Sequence, residues 1–397
     1  MRKSLLLASV LILAAIAYAV LGGRTAEKEI DIPEPPNIEA PEPVILPEQL
    51  IPHVRETMDI SEPISGHRFE GCTLTIIGRE EITLSGCLLL DSKIIIEDSR
   101  EIEVSDSIIT GYYVDESASI QIRDVTGLLI HHNEIVNNSV GVSIGGCGDV
   151  EISCNLFEAN DQHNAVTGLN CEGARIHGNV FRFNFPHALM IMNREADPRV
   201  QLEIYENTFD RNVEDAVNFE NFTSELTTRV HGNRINGTGW AGINVEYNSW
   251  GSNIVIEDNY IDCNGLLTEE RLDGEGGLWD TYPSHGHQPE PYSPGWGHGV
   301  KLEDCSGVTV RGNVIVSNAE SGVDIRNARD ITLEENTITL NRIGVSIMCF
   351  HESSLTREFS PLSPEDAGAS TVEDMGNTVL GNLVENWYVE EGCRLER

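Results

Sequence analysis

One short phrase recurs down this chain, and it constrains the fold more than any other property of the sequence. It reads polar-Asn-x-apolar, then several residues later small-apolar-polar-apolar. The copies start at Asn133 with Gly141-Val142-Ser143-Ile144, continue through Asn155, Asn179, Asn207, Asn233 and Asn259, and close with Asn313 and Asn336, the last followed by Gly344-Val345-Ser346-Ile347. Successive asparagines lie 22, 24, 28, 26 and 26 residues apart, then 54 across an insertion, then 23. A period in the twenties marks stacked structural units. Within each copy apolar and polar residues alternate, which is strand spacing rather than helix spacing. Strands this short and this close leave no room for crossover helices, so each rung must pair in parallel with the next. The expected fold is all-β: a single-stranded right-handed parallel β-helix with Val, Ile, Leu and Phe stacked inside. The recurring Asn belongs at a bend, where it tolerates the left-handed conformation and its amide reaches the Asn of the next rung.

From about residue 65 onward, the polar-Asn-x-Ile/Phe and Gly-Val-x-Ile phrases resemble the repeats of the pectate-lyase-like β-helix superfamily. That superfamily includes polysaccharide lyases, glycoside hydrolases, epimerases and NosD-like periplasmic proteins of copper-enzyme maturation. The resemblance implies the fold; chemistry has to be argued from the outward side chains.

Four segments are expected. Residues 1–23 join a basic start, Arg2 and Lys3, to an apolar run ending in Gly22-Gly23, as in a signal peptide or a membrane anchor. Residues 24–60 are rich in Pro and Glu and read as a semi-rigid linker, with Pro33, Pro35, Pro36, Pro41, Pro43 and Pro47. Residues 61–350 carry the β-helix, with the stretch near Ile60 to Phe69 closing its open end, and residues 351–397 a loop plus a last rung or cap. The protein is thus expected to be exported and to meet a membrane only through an uncleaved N-terminal segment.

A formal charge of −38 excludes nucleic acid as a partner and favours a soluble exterior or a divalent cation. Only four lysines occur, Lys3, Lys28, Lys93 and Lys301, and Lys301 alone lies within the clear repeat. Nine cysteines without a CxxC pair suggest neither zinc nor a redox motif; stacking offers Cys72/Cys87, Cys147/Cys171 or Cys263/Cys305 as bridges in an oxidising compartment, against small buried residues otherwise.

If Val and Ile of each Gly-Val-x-Ile phrase point inward, the residue between them points out. Down the stack that column reads Ser143, Thr167, Met190, Asn218, Asn244, Lys301, Asp324, Ser346. The next outward column reads Gly145, Leu169, Met192, Glu220, Glu246, Glu303, Arg326, Met348. The ends are bland and the four middle rungs hold every ionisable residue, joined by Glu214, Asp215, His298 and His187. Glutamates about 4.8 Å apart on successive rungs repel unless a cation, a raised pKa, or Lys301 and Arg326 offset them. Asn218, Glu220, Asn244, Glu246 and Glu303 form an all-oxygen set of the kind Ca²⁺ prefers. The insertion before Lys301 adds Trp279, Tyr282, Tyr292 and Trp296, whose faces suit sugar rings, and His285 and His287.

The set resembles the calcium-dependent β-helix lyases of the alginate lyase and chondroitinase B type, which combine an Asn and Glu calcium site with a catalytic Lys and a nearby Arg. The resemblance implies an acidic polysaccharide as partner and β-elimination as reaction. Lys301 would be the base, its pKa lowered by a metal and Arg326, and Arg326 would stabilise developing charge, with His298 and Asp215 in the catalytic set. His187 and Asp324 would contact substrate. Two other expectations stand beside it: a hydrolase using stacked carboxylates, and a non-catalytic carbohydrate-binding, structural or NosD-like solenoid.

Overall fold

In the computed structural model, the structure describes residues 32–114, 117–192, 201–222, 224–248, 253–265, 297–348 and 370–397. The segment expected to be a signal or anchor, 1–23, lies outside these residues, as do Trp279, Tyr282, His285, His287, Tyr292 and Trp296. Contacts divide the chain after Glu34, and every strand belongs to the unit 35–397.

Among the described residues that unit is three parallel sheets of 13 strands each, in which every strand pairs with those three positions earlier and later in the chain, the end strands with one of them. The first sheet runs from Ile51–Val54 to Thr378–Val379, the second from Thr57–Asp59 to Glu385–Val389, the third from Ile64–Ser65 to Arg394–Glu396. One turn of chain therefore contributes a strand to each sheet, which is the β-helix read from the repeat. The stack begins at Ile51, ahead of residue 61, and residues 64–70 form strands of its first two turns rather than a closure. Pro52 and charged neighbours hide the alternation there, yet Ile51 and His53 pair in register with His67 and Phe69. Part of the Pro-rich stretch belongs to this unit, with the Val44 amide donating to Glu134 Oε1 at 2.9 Å.

Alternation explains the interior. Val142, Ile144, Val300, Leu302, Val323 and Ile325 are at most 3% exposed and belong to one continuous core. Phe157, Phe181 and Phe209 stack face to face within it, 4.8 and 5.0 Å between ring centres. Two asparagine ladders hold the corners. In the first, Asn133, Asn155, Asn179, Asn207, Asn233, Asn259, Asn313 and Asn336 each donate their side-chain amide to the Oδ1 of the asparagine on the next rung, at 2.8–3.1 Å. The second, five residues further along, includes Asn138, Asn160, Asn184, Asn212, Asn264, Asn318 and Asn341, with Thr238 in place of one asparagine. Because these amides are buried, each satisfied bond avoids the desolvation cost of a lost one.

None of the three candidate disulfides, Cys72/Cys87, Cys147/Cys171 and Cys263/Cys305, forms. One turn is about 20 residues near the N-terminal end, so the partner of Cys72 one rung on is Ser92 and that of Cys87 is Ser107, whose hydroxyls accept the cysteine amides. Cys263 follows a first-sheet strand and Cys305 a second-sheet strand, which puts them at different corners. Cys147 and Cys171 do share a corner, but the Cys147 thiol donates to the Gly145 carbonyl.

Candidate functional site

The outward columns of the second sheet stack in register as their parity requires. Met190, Asn218, Asn244, Lys301, Asp324 and Ser346 pair successively, and so do Met192, Glu220, Glu246, Glu303, Arg326 and Met348. Lys301 lies outside the coil, between Val300 and Leu302, which point in. A third column stands at the strand starts, where Ala241 pairs with His298 and the Asp215 amide reaches His187 Nδ1 at 3.4 Å. The structure thus brings His187, Asp215, Asn218, Glu220, Asn244, Glu246, His298, Lys301, Glu303, Asp324 and Arg326 onto one outer wall.

These side chains face out and are still buried. Asp215, Asn218 and Asp324 are 1% exposed, His298 2%, Asn244 3%, Lys301 4% and His187 8%. Their polar groups therefore need one another, and most form one network. Asp215 Oδ1 accepts from the Ala241 amide at 2.9 Å, while its Oδ2 accepts from Asn244 Nδ2 at 3.2 Å and lies 3.3 Å from His187 Nδ1. Asn218 Nδ2 stands 3.4 Å from His187 Nε2 and donates to Glu246 Oε1 at 3.2 Å, linking the histidine to the glutamates. Lys301 Nζ then lies 2.5 Å from Glu303 Oε2 and 3.7 Å from Glu246 Oε2. One rung on, Arg326 Nε donates to Asp324 Oδ2 at 2.6 Å, and His298 Nε2 is 3.8 Å from the same oxygen.

Burial and charge set the proton affinities. Burial pulls the His187 pKa down, but the hydrogen bond and charge of Asp215, with Glu214 and Glu246, more than reverse it, so the net shift is upward. Burial pushes Glu214 up to about 7 against the opposing pull of His187, with Asp215 and Glu246 adding to the rise. Glu246 is also raised, by burial first, despite Lys301. For Lys301 burial lowers the pKa and the Glu303 and Glu246 carboxylates raise it further than that, so it ends above the ordinary lysine value. This corrects the expectation of a lowered value: Arg326 is turned to Asp324, and two carboxylates dominate the surroundings of the ammonium. Lys301 is a fixed positive charge at neutral pH and a poor base.

The glutamate stack is thus offset chiefly by Lys301. Of the five oxygen ligands expected for calcium, Glu246 and Glu303 are directed at that ammonium, and Glu220 accepts from Asn221 Nδ2 at 3.2 Å. Asn218 Oδ1 and Asn244 Oδ1 are buried without a hydrogen-bond partner among the described residues, which suits a hard cation. No group of three or more His, Cys, Asp or Glu side chains placed to hold a metal occurs among those residues.

An open trough of about 390 Å³ continues the wall toward the N-terminal rungs, lined by Gln121, Ser143, His163, Asn164, Thr167 and Met190 among others. Asn164 ties it to the network, because its Oδ1 accepts from the His187 amide at 3.3 Å. Sequence reasoning missed Tyr247, directly after Glu246, whose hydroxyl is pushed up to about 12 by burial, then by Glu246 and Glu303.

Two family models match parts of the chain. The family described as "Right handed beta helix region" matches residues 292–395, and "Periplasmic copper-binding protein (NosD)" matches residues 61–188. No curated protein matches the sequence. Similar solved structures include the periplasmic alginate epimerase AlgG, at 14% identity over 84% of this chain and 76% of that one, with a TM-score of 0.47. The alginate lyase of Paenibacillus sp. str. FPU-7 is 12% identical over 86% of this chain and 99% of that one, with a TM-score of 0.38. The mannuronan C-5 epimerase AlgE4 A-module of Azotobacter vinelandii is 12% identical over 85% and 91%, with a TM-score of 0.36.

Proposed function

We propose that this right-handed parallel β-helix protein is an exported, carbohydrate-active protein that binds an acidic polysaccharide along the outer wall of its second sheet and moves a proton on a uronate unit there. The observation that carries the reading is the continuous buried network from His187 through Asn218 to Glu246, Lys301 and Glu303. Histidine held by a buried aspartate is an oriented proton carrier. We assign His187 the role first expected of Lys301. The Lys301 ammonium and the Arg326 guanidinium supply the positive charge that a uronate carboxylate and its deprotonated neighbour need. Glu214, protonated up to about pH 7, lies with Oε2 3.6 Å from His187 Nε2 and can return a proton to a leaving oxygen.

Calcium belongs to the proposal through Asn218 and Asn244, whose free amide oxygens would hold it with Glu220. When bound it would neutralise part of the charge between a polyanion and an acidic wall. The roles given to His187, Lys301 and Glu214 do not depend on it.

The test is incubation with a panel of uronate polymers, with calcium or with a chelator, read by the ultraviolet absorbance of unsaturated products and by new reducing ends. Wild type is expected to form product, and His187→Ala to lose about 10²–10⁴ of the rate. Absence of product from every polymer would refute catalysis. It would favour a binding module without turnover, the reading that the NosD match over residues 61–188 supports.

A further inference from the structure

The outward wall changes character immediately before the charged network. From Asn218 toward the N-terminal rungs its first column reads Met190, Thr167, Ser143 and Gln121 in register, and its second begins with Met192. These five side chains line the open trough of about 390 Å³, and none of them can carry a charge. His163, which is exposed, is the one ionisable side chain among the described residues of the lining. In the two columns over these four rungs the only basic residue is Arg123, on the strand of Gln121 at the far end. At the near end the trough joins the network. Asn164 Oδ1 accepts from the His187 amide at 3.3 Å, and Asn164 Nδ2 donates to Thr167 Oγ1 at 3.1 Å and lies 3.1 Å from Met190 Sδ. A polymer lying along the wall therefore passes from the trough directly onto His187 and Asn218.

Charge decides what the trough can hold. Four rungs span about 14 Å, so it borders more than one sugar unit. A uronate carboxylate placed at Thr167 or Met190 would lose water to hydroxyl, amide and thioether groups on a protein of formal charge −38, with no lysine or arginine of the lining to offset it. At the charged rungs Lys301 and Arg326 supply that offset. An uncharged unit meets no such cost. Thr167, Ser143 and Gln121 exchange hydrogen bonds with its hydroxyls, and the two thioethers give adaptable apolar surface to its ring carbons.

We infer that the trough is a subsite for an uncharged sugar, so that the polymer accepted by this wall carries its reacting uronate next to a neutral or N-acetylated unit and is not a run of uronates. The inference rests on the function proposed above and adds the composition of the substrate to it.

The experiment compares two alternating polymers of glucuronate and N-acetylglucosamine, hyaluronan and heparosan, with two homopolyuronates, polygalacturonate and polymannuronate, by product formation and by retardation in native gels. Wild type is expected to favour the alternating polymers about tenfold or more in kcat/KM, or in retardation where nothing turns over. Ser143→Lys supplies the missing cation and should narrow that ratio several-fold by improving the homopolyuronates. Ser143→Trp fills the trough and should narrow it by weakening the alternating polymers about tenfold, with thermal unfolding checking that each variant folds. Homopolyuronates handled by wild type as well as the alternating polymers, or a folded Ser143 variant that leaves the ratio unchanged, overturn the inference while the proposed function stands. A wild type that neither turns over nor is retarded by any polymer defeats the proposed function, and the inference with it.

Discussion

Lys301→Met isolates the charge balance on which the site depends. In the native protein its ammonium, 5% exposed, stands between Glu246 and Glu303, whose side chains are 15% and 13% exposed. These glutamates occupy paired positions on successive rungs, about 4.8 Å apart. Two full negative charges at that spacing repel by roughly 3–4 kcal/mol at an effective dielectric near 20. Removing one partner of a buried ion pair typically costs about 3–5 kcal/mol, so the two figures agree.

The cost must depend on pH, because a carboxylate can escape repulsion by taking a proton. Glu246 already has a folded pKa above its unfolded one, and loss of Lys301 removes an influence that holds it down. An acid with a raised folded pKa loses folding stability as pH rises above the unfolded value, by up to about 1.4 kcal/mol per unit. The variant should therefore unfold in urea close to wild type near pH 4.5 and fall progressively behind it toward pH 8, where the deficit reaches about 3–5 kcal/mol. Adding Glu246→Gln and Glu303→Gln to Lys301→Met removes all three charges and should restore most of the stability. A deficit that is equal at both pH values, or a triple variant as unstable as the single one, would show that Lys301 matters for packing and not as the counter-charge.

Glu214→Gln tests the acid held at about 7: the native group favours folding fully below about pH 4.5, and that contribution is lost as pH rises toward 7. The difference in melting temperature, variant minus wild type, should grow between pH 5 and 8, and a flat difference would refute the shift. Thr238→Asn restores the second ladder, offering an Oδ1 to Asn212 Nδ2 and a side-chain amide to Asn264 Oδ1 where the threonine hydroxyl now donates, and should stabilise by about 1 kcal/mol in urea unfolding. Gly168→Ala adds a methyl beside a small apolar cavity lined by Ile144, Val166 and Ile191, with Ile191 Cδ1 3.3 Å from the new carbon. It is expected to gain about 0.5–1 kcal/mol, and a loss would mean that Ile191 has no room to move.

The parts of this protein legible in its sequence are those governed by a period. Alternation of two along each phrase decided that Lys301 points out between Val300 and Leu302, and the spacing of the repeat decided which residues stand above and below it. The second asparagine ladder was equally legible and passed unread: Asn138, Asn160, Asn184, Asn212, Asn264, Asn318 and Asn341 each follow a first-ladder asparagine by five positions. The proton affinity of Lys301 was not legible, because it depends on which neighbours turn toward the ammonium. From the column alone Arg326 seemed a repelling neighbour. In the fold Arg326 pairs with Asp324 and still lowers the lysine, but Glu303 and Glu246 raise it by more. The disulfide expectations failed for the same class of reason, since a pairing argument needs the local length of a turn, and near Cys72 that length is 20 residues rather than 15.

The division between period and exception also explains how one surface can carry so much buried charge. A solenoid distributes its stability along nearest-neighbour contacts, and here those contacts are the apolar interior and two corner ladders, both continuous through the rungs of the site. The Asn179, Asn207, Asn233 and Asn259 amides stay fully bonded in the rungs where Asp215, Glu214 and Glu246 crowd together. Unfavourable carboxylates, and amide oxygens at Asn218 and Asn244 without a partner among the described residues, are therefore local defects on a scaffold held chiefly by its interior and corner ladders. Defects of this kind on neighbouring rungs of one wall are what a binding or catalytic surface requires, because a ligand gains most where the free protein leaves charge and hydrogen bonds unsatisfied.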